Sequence, residues 1–178
     1  MGLKRRQLTL FWIGVAFSLF PFFSLPLFAV AGDVGRPAPE ITGQIWLNAK
    51  PQRLTNLKGK VVLVEFWTYG CYNCRNVEPY VKEWHRKYGD QGLIVIGVHS
   101  PEFSAEREAK NVEHYMREHG LSYAVVIDND FAIWNRYSNR AWPAMYLIDK
   151  QGQIRYVHVG EGRYAETEQK IQTLLAEP

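Results

Sequence analysis

The sequence predicts an α/β fold, a mixed sheet with helices on both faces. Three features carry that expectation. Short apolar runs rich in β-branched residues alternate with stretches of helical period between residues 61 and 137. Two further apolar runs then flank the turn Asp149-Lys150-Gln151-Gly152, as in a hairpin. A last stretch of helical period closes the chain. This order of elements belongs to layered α/β architectures.

In chain order, residues 32–39 (Gly-Asp-Val-Gly-Arg-Pro-Ala-Pro) read as a linker or extended entry segment. Ile41 to Asn48, with a turn at Ala49-Lys50-Pro51, reads as part of a small hairpin. Residues 54–60 form a short turn-like element. Val61 to Trp67 is almost continuously apolar, the pattern of a strand buried on both faces. A helix follows from Tyr72 to Tyr88, with Val77, Tyr80, Val81, Trp84 and Tyr88 on one face and Pro79 expected to kink it. Leu93 to Val98 is a second strand, and Ser104 to His119 a polar helix. Tyr123 to Ile127 is a third strand, followed by a short helix through Tyr137 capped from Asp128-Asn129-Asp130. Ala144–Ile148 and Ile154–Val159 form the hairpin. The closing helix starts near Tyr164 and buries Ile171, Leu174 and Leu175.

The 178 residues fit one domain, and a 47% hydrophobic composition is enough for a substantial core. The net charge of +3 comes from the N-terminus: Lys4, Arg5 and Arg6 lie in residues 1–31, which contain no acid. Without them 21 − 3 = 18 basic residues balance 18 acidic ones. That balance argues against a nucleic-acid partner. Residues 1–31 read as a targeting segment: a basic start, an uncharged stretch from Leu8 to Gly32, and Ala29-Val30-Ala31 as a cleavage signal. The same stretch is long enough to span a bilayer as an uncleaved anchor, although Pro21 and Pro26 interrupt it. Either reading places residues 32–178 outside the cytoplasm, periplasmic or extracytoplasmic.

The two cysteines, Cys71 and Cys74, are three positions apart at the junction between the first core strand and its helix. A disulfide closing so short a loop is a poor staple, because it removes little unfolded-state entropy. A redox-active pair is the better use. Cys71, at the start of the helix, faces unpaired N–H groups that stabilise a thiolate. Cys74, one turn on, is the more buried and resolving thiol. Glu65 lies in a buried strand, where desolvation raises a carboxyl pKa toward the range useful for proton transfer. Tyr69, Tyr72 and Trp142 are candidates for an aromatic rim that binds substrate, while Trp67 beside them reads as core. His99 reads as a local hydrogen-bonding residue.

The runs Val64-Glu65-Phe66-Trp67, Pro79 five residues after Cys74, and Trp142-Pro143 before a late strand resemble the thioredoxin superfamily. The 35–60 entry and the inserted βα element before Pro143 resemble its extracytoplasmic TlpA/ResA-like branch. Within it the chain looks most like the thioredoxin-like domain of DipZ-type cytochrome c biogenesis proteins. That likeness rests on Thr68-Tyr69, Asn73, residues 97–103, Asp128-Asn129-Asp130 and residues 160–168.

The resemblance implies a thioredoxin fold and a thiol-disulfide oxidoreductase that needs no cofactor. Its catalytic residues would be Cys71, Cys74, Glu65 and a cis Pro143, with Glu65 exchanging a proton with Cys74. Pro143 would present the Trp142 backbone to an extended substrate and keep metal off the thiols. The implied substrates are protein disulfides such as apocytochrome c. The implied donor is a membrane thiol protein of the CcdA/DsbD type, separate because no polytopic domain is expected on this chain. Tyr72-Asn73 between the cysteines departs from the Glu-Pro pattern of related cytochrome c reductases and leaves the reduction potential open.

Two other functions share this motif. A thiol peroxidase needs a Thr and a Pro before the reactive cysteine, and Thr68 meets half of that. A copper-binding metallochaperone would use both thiolates and a distant imidazole such as His158. Zinc needs four ligands; His114 and His119 lie on another helix, so no resident metal is expected.

Overall fold

The computed structural model describes residues 1–2 and 34–178. The targeting segment expected at residues 1–31 falls almost wholly outside the described residues. Among these, no helix is long and apolar enough to cross a membrane.

Six strands form one sheet in the order β1-β4-β3-β2-β5-β6. The strands are β1 (Trp46–Leu47), β2 (Val61–Trp67), β3 (Leu93–His99), β4 (Ala124–Ile127), β5 (Ala144–Ile148) and β6 (Ile154–Val159). β2, β3 and β4 run parallel; β1, β5 and β6 are antiparallel to their neighbours. The helices are α1 (Tyr72–Tyr88), α2 (Ala109–His119), α3 (Ala132–Arg136) and α4 (Tyr164–Ala176).

Residue parity along the strands sorts the core into two layers. Val61, Leu63 and Trp67 of β2 face Val77, Val81 and Trp84 of α1, Val112 and Met116 of α2, and Ile171 and Leu174 of α4. Val62, Val64 and Phe66 face Ile133 and Trp134 of α3, with Ile41 and Leu54 from the N-terminal segment. The mixed sheet with helices on both faces is therefore present. Because β2 is central and wholly buried, Glu65 has no route to solvent along its own strand.

Gly97 shows how closely the α1 layer packs. A Cβ there would lie 2.6 Å from Trp67 Nε1, 3.1 Å from Val125 and 3.2 Å from the Tyr123 ring. Gly97→Ala is expected to destabilise the fold by about 1–3 kcal/mol through overpacking. Urea unfolding measures this; an unchanged midpoint would contradict the packing described.

Several boundaries differ from expectation. Ile41 to Asn48 makes no hairpin with its neighbours in sequence. Trp46 and Leu47 pair instead with Val126 and Val125 of β4, and Asn48 donates to the Leu121 carbonyl at 2.8 Å. Of the two readings of the entry segment, residues 34–39 take that of a docked entry segment rather than a linker: Gly35 and Ala38 donate to the Ile154 and Gly152 carbonyls. The helix expected from Ser104 to His119 breaks at Glu108, whose backbone is extended, leaving a 3-10 turn at Ser104–Arg107 and then α2. α3 starts late because Phe131 adopts a left-handed conformation. Its cap comes from Asp128, whose carboxylate accepts from the Ile133 and Trp134 N–H groups. α1 keeps its expected bounds, with Pro79 inside it.

Candidate functional site

The site forms where β2 gives way to α1. Cys71 is the N-cap of α1, and its Sγ accepts from the Cys74 N–H at 3.4 Å. A sulfur placed there meets both the unpaired N–H groups and the positive end of the helix dipole. Cys71 is half-buried, while Cys74 is 3% exposed and belongs to the α1-layer core. Burial raises the Cys74 thiol well above the ordinary cysteine range, and its hydrogen bond with Cys71 adds to the rise. The pair is thus split into an accessible sulfur and a sheltered one that holds its proton.

Glu65 lies beneath this pair at 2% exposure. Desolvation pushes its carboxyl up to about 8; a hydrogen bond from Tyr123 Oη at 3.3 Å opposes the rise, and Glu78 adds to it. Its charge reaches Cys74, raising that thiol further. In the sequence Tyr123 reads as an ordinary strand aromatic. Burial and the neighbouring carboxylates raise its own hydroxyl well above the usual tyrosine range, so it stays a donor.

The Trp142–Pro143 peptide is cis, and Pro143 directly precedes β5. The Phe66–Ala144 pair places that end of β5 beside the end of β2 that carries the cysteines. The Pro143 carbonyl accepts from Gly160 N–H at 2.8 Å. Trp142 is half-buried against Trp134, with ring centroids 4.4 Å apart.

The other aromatics separate into two settings. Tyr72 is 75% exposed at the first turn of α1. Tyr69 is half-buried in a ring stack, 5.8 Å from His99 and 5.5 Å from Tyr115, which in turn stacks on His119 at 3.8 Å. Trp67 is core. His99 is fully buried, and desolvation lowers its pKa to about 4, so it is neutral at ordinary pH. Its Nε2 lies 3.3 Å from the Thr68 hydroxyl, which therefore points to His99 rather than standing free for Cys71. His158 sits on β6 opposite Met145. Among the described residues, no three His, Cys, Asp or Glu side chains gather as a metal site.

Fold and site together define a thioredoxin fold that carries a Cys-x-x-Cys dithiol at a strand-to-helix junction. The chain matches the AhpC/TSA family over residues 34–157 and belongs to it, within the TlpA/ResA-like thioredoxin branch. It is 46% identical over 142 residues to Protein DipZ of Mycobacterium bovis, covering 78% of this chain and 20% of DipZ. The chain thus spans about a fifth of the length of the DipZ relatives it matches. It is 32% identical over 143 residues to the thiol-disulfide oxidoreductase YkuV of Bacillus subtilis, covering 80% of this chain and 96% of YkuV. Among solved structures, a thioredoxin-like protein in its oxidised form matches with a TM-score of 0.73 and 31% identity, covering 80% of this chain and 96% of the other.

Proposed function

We propose that residues 32–178 act outside the cytoplasm as a reductase of protein disulfides. The observation that carries this reading is the division of the dithiol: Cys71 half-buried at the α1 N-terminus, and Cys74 buried within reach of the Glu65 charge.

The Cys71 thiolate attacks one sulfur of a substrate disulfide. That S–S bond breaks, the departing sulfur leaves as a thiolate and takes a proton from solvent, and a Cys71–substrate disulfide forms. Cys74 then gives its proton to the Glu65 carboxylate, and its sulfur attacks Cys71 Sγ. The mixed disulfide breaks, the second substrate sulfur leaves and is protonated, and a Cys71–Cys74 disulfide remains. Two electrons have passed to the substrate. Burial suits Glu65 to this transfer, since a carboxyl near 8 takes up and returns a proton close to neutral pH. Pro143 and Trp142 present backbone to an extended substrate segment, and exposed Tyr72 flanks it. Tyr69 contributes through its ring stack behind the Cys71 loop.

The physiological substrates are extracytoplasmic protein disulfides, apocytochrome c among them. A membrane thiol protein of the CcdA/DsbD type returns the dithiol. Residues 1–31 deliver the domain as a cleaved signal or hold it as an anchor. The experiment is stoichiometric: the reduced protein is mixed with a disulfide-containing protein such as insulin. One Cys71–Cys74 disulfide is expected per substrate disulfide lost. A dithiol left intact beside an intact substrate disulfide would refute the reading.

A further inference from the structure

The segment between β3 and α2 takes no part in the exchange chemistry, yet one side chain ties it to the site. Glu106, in the 3-10 turn, is 1% exposed. Its Oε2 accepts from the N–H groups of Glu102 at 2.6 Å and Phe103 at 2.8 Å. Its Oε1 accepts from Gly70 N–H at 2.8 Å, the residue directly before Cys71. A buried carboxylate is tolerated only when hydrogen bonds replace water, and here three backbone donors do so. Two of them belong to its own segment and the third to the turn that ends at Cys71, where the Cys71 N–H meets the Thr68 carbonyl at 3.3 Å.

Gly70 fits the same contact. It has no positive φ that would require glycine. A Cβ at Gly70 would fall well inside van der Waals contact of Glu106 Oε1 and 3.3 Å from the Phe103 ring. The missing side chain is what lets the carboxylate reach the backbone. Phe103 itself is 58% exposed.

We propose that Glu106 is a positioning residue: by holding Gly70 it fixes Cys71 Sγ at the N-terminus of α1. This rests on Cys71 being the reactive thiol, but not on the direction in which the protein exchanges disulfides.

The test uses the full chain as wild type, Glu106→Gln, Gly70→Ala and the double variant. Gln presents one acceptor and one donor, so it serves only one side of the bracket. Gly70→Ala keeps the charge of Glu106 but displaces it. Two readouts apply: the rate at which iodoacetamide alkylates Cys71 near neutral pH, and the dithiol–disulfide equilibrium with glutathione. Each single variant is expected to slow alkylation about tenfold, since small misplacements of a reacting group cost this much or more. Each should also move the equilibrium toward the disulfide by about threefold, because the thiolate loses its helix-terminal donors. The double variant should be no worse than the poorer single one, since both break one contact. Lower thermal stability with both readouts at wild-type values would overturn the proposal. So would shifts of opposite sign in the two single variants, which would indicate charge rather than position. Multiplying effects in the double variant would overturn it as well. If Glu106→Gln does not fold, Gly70→Ala decides by the same readouts. An oxidising potential in the wild type would defeat the reductase reading and leave these ratios intact.

Discussion

Cys74→Ser is expected to accumulate mixed disulfides with protein substrates through Cys71, and Cys71→Ser to form none. The asymmetry follows from position. Cys71 is the accessible sulfur, whereas Cys74 is packed in the α1-layer core, and the high pKa that burial gives it keeps it a thiol until a base acts. Without Cys74 the first exchange proceeds and the second has no nucleophile. Turnover of a protein disulfide should then fall on the order of a thousandfold, the scale of losing one member of a catalytic set. Non-reducing electrophoresis with mass spectrometry of the adducts checks this. Adducts through Cys74 in a Cys71→Ser protein would reverse the assignment.

Glu65→Gln is expected to change both stability and rate, with a distinctive pH dependence. The ordinary Glu65 pKa of 4.5 applies to the unfolded chain, and burial raises the folded value to about 8. Between those values the folded state holds a proton that the unfolded state has released. Stability from this group is therefore undiminished below about pH 4.5, falls as pH rises toward about 8, and stays reduced above it. The full shift corresponds to on the order of 5 kcal/mol. Glutamine is neutral throughout, so the variant should match wild type at acid pH and exceed it at alkaline pH. Urea unfolding as a function of pH measures the difference. Parallel pH dependences for the two proteins would remove Glu65 from the account. In rate, if Glu65 takes the Cys74 proton as proposed, resolution of a preformed mixed disulfide should slow by about a hundredfold in the variant. In wild type that step should quicken as pH rises and level off near pH 8; in the variant this levelling should be missing.

Much of this arrangement can be read along the chain because it is local. The apolar run of β2, the helical spacing of Val77, Val81 and Trp84, and the cysteines between them specify a buried strand feeding an amphipathic helix. Glu65 is conspicuous for the same reason, as a carboxylate in an otherwise apolar strand. What escapes such a reading depends on distant partners. A two-residue strand such as β1 has too little pattern to name its neighbour, and that neighbour is β4, about 80 residues on. Tyr123 resembles any strand aromatic until its hydroxyl is found on Glu65. Glu106 sits in the run Ser-Ala-Glu-Arg-Glu, which has the composition of a solvated helix face. Nothing local shows that this carboxylate turns inward to Gly70, nor that doing so accompanies a helix broken at Glu108. Tyr69 has the look of an open binding residue, and only its stack on His99 and Tyr115 shows that it is braced behind the loop.

The reduction potential of the Cys71–Cys74 pair decides whether the protein reduces or oxidises its substrates. Tyr72-Asn73 between the cysteines gives no value by itself, so the number must come from equilibration of the purified protein with glutathione or dithiothreitol. A reductase requires a potential near that of thioredoxin, about −270 mV, so that electrons flow from this dithiol to substrate disulfides. A value near −120 mV, where the dithiol is the favoured state, would make the protein an oxidant and contradict the account.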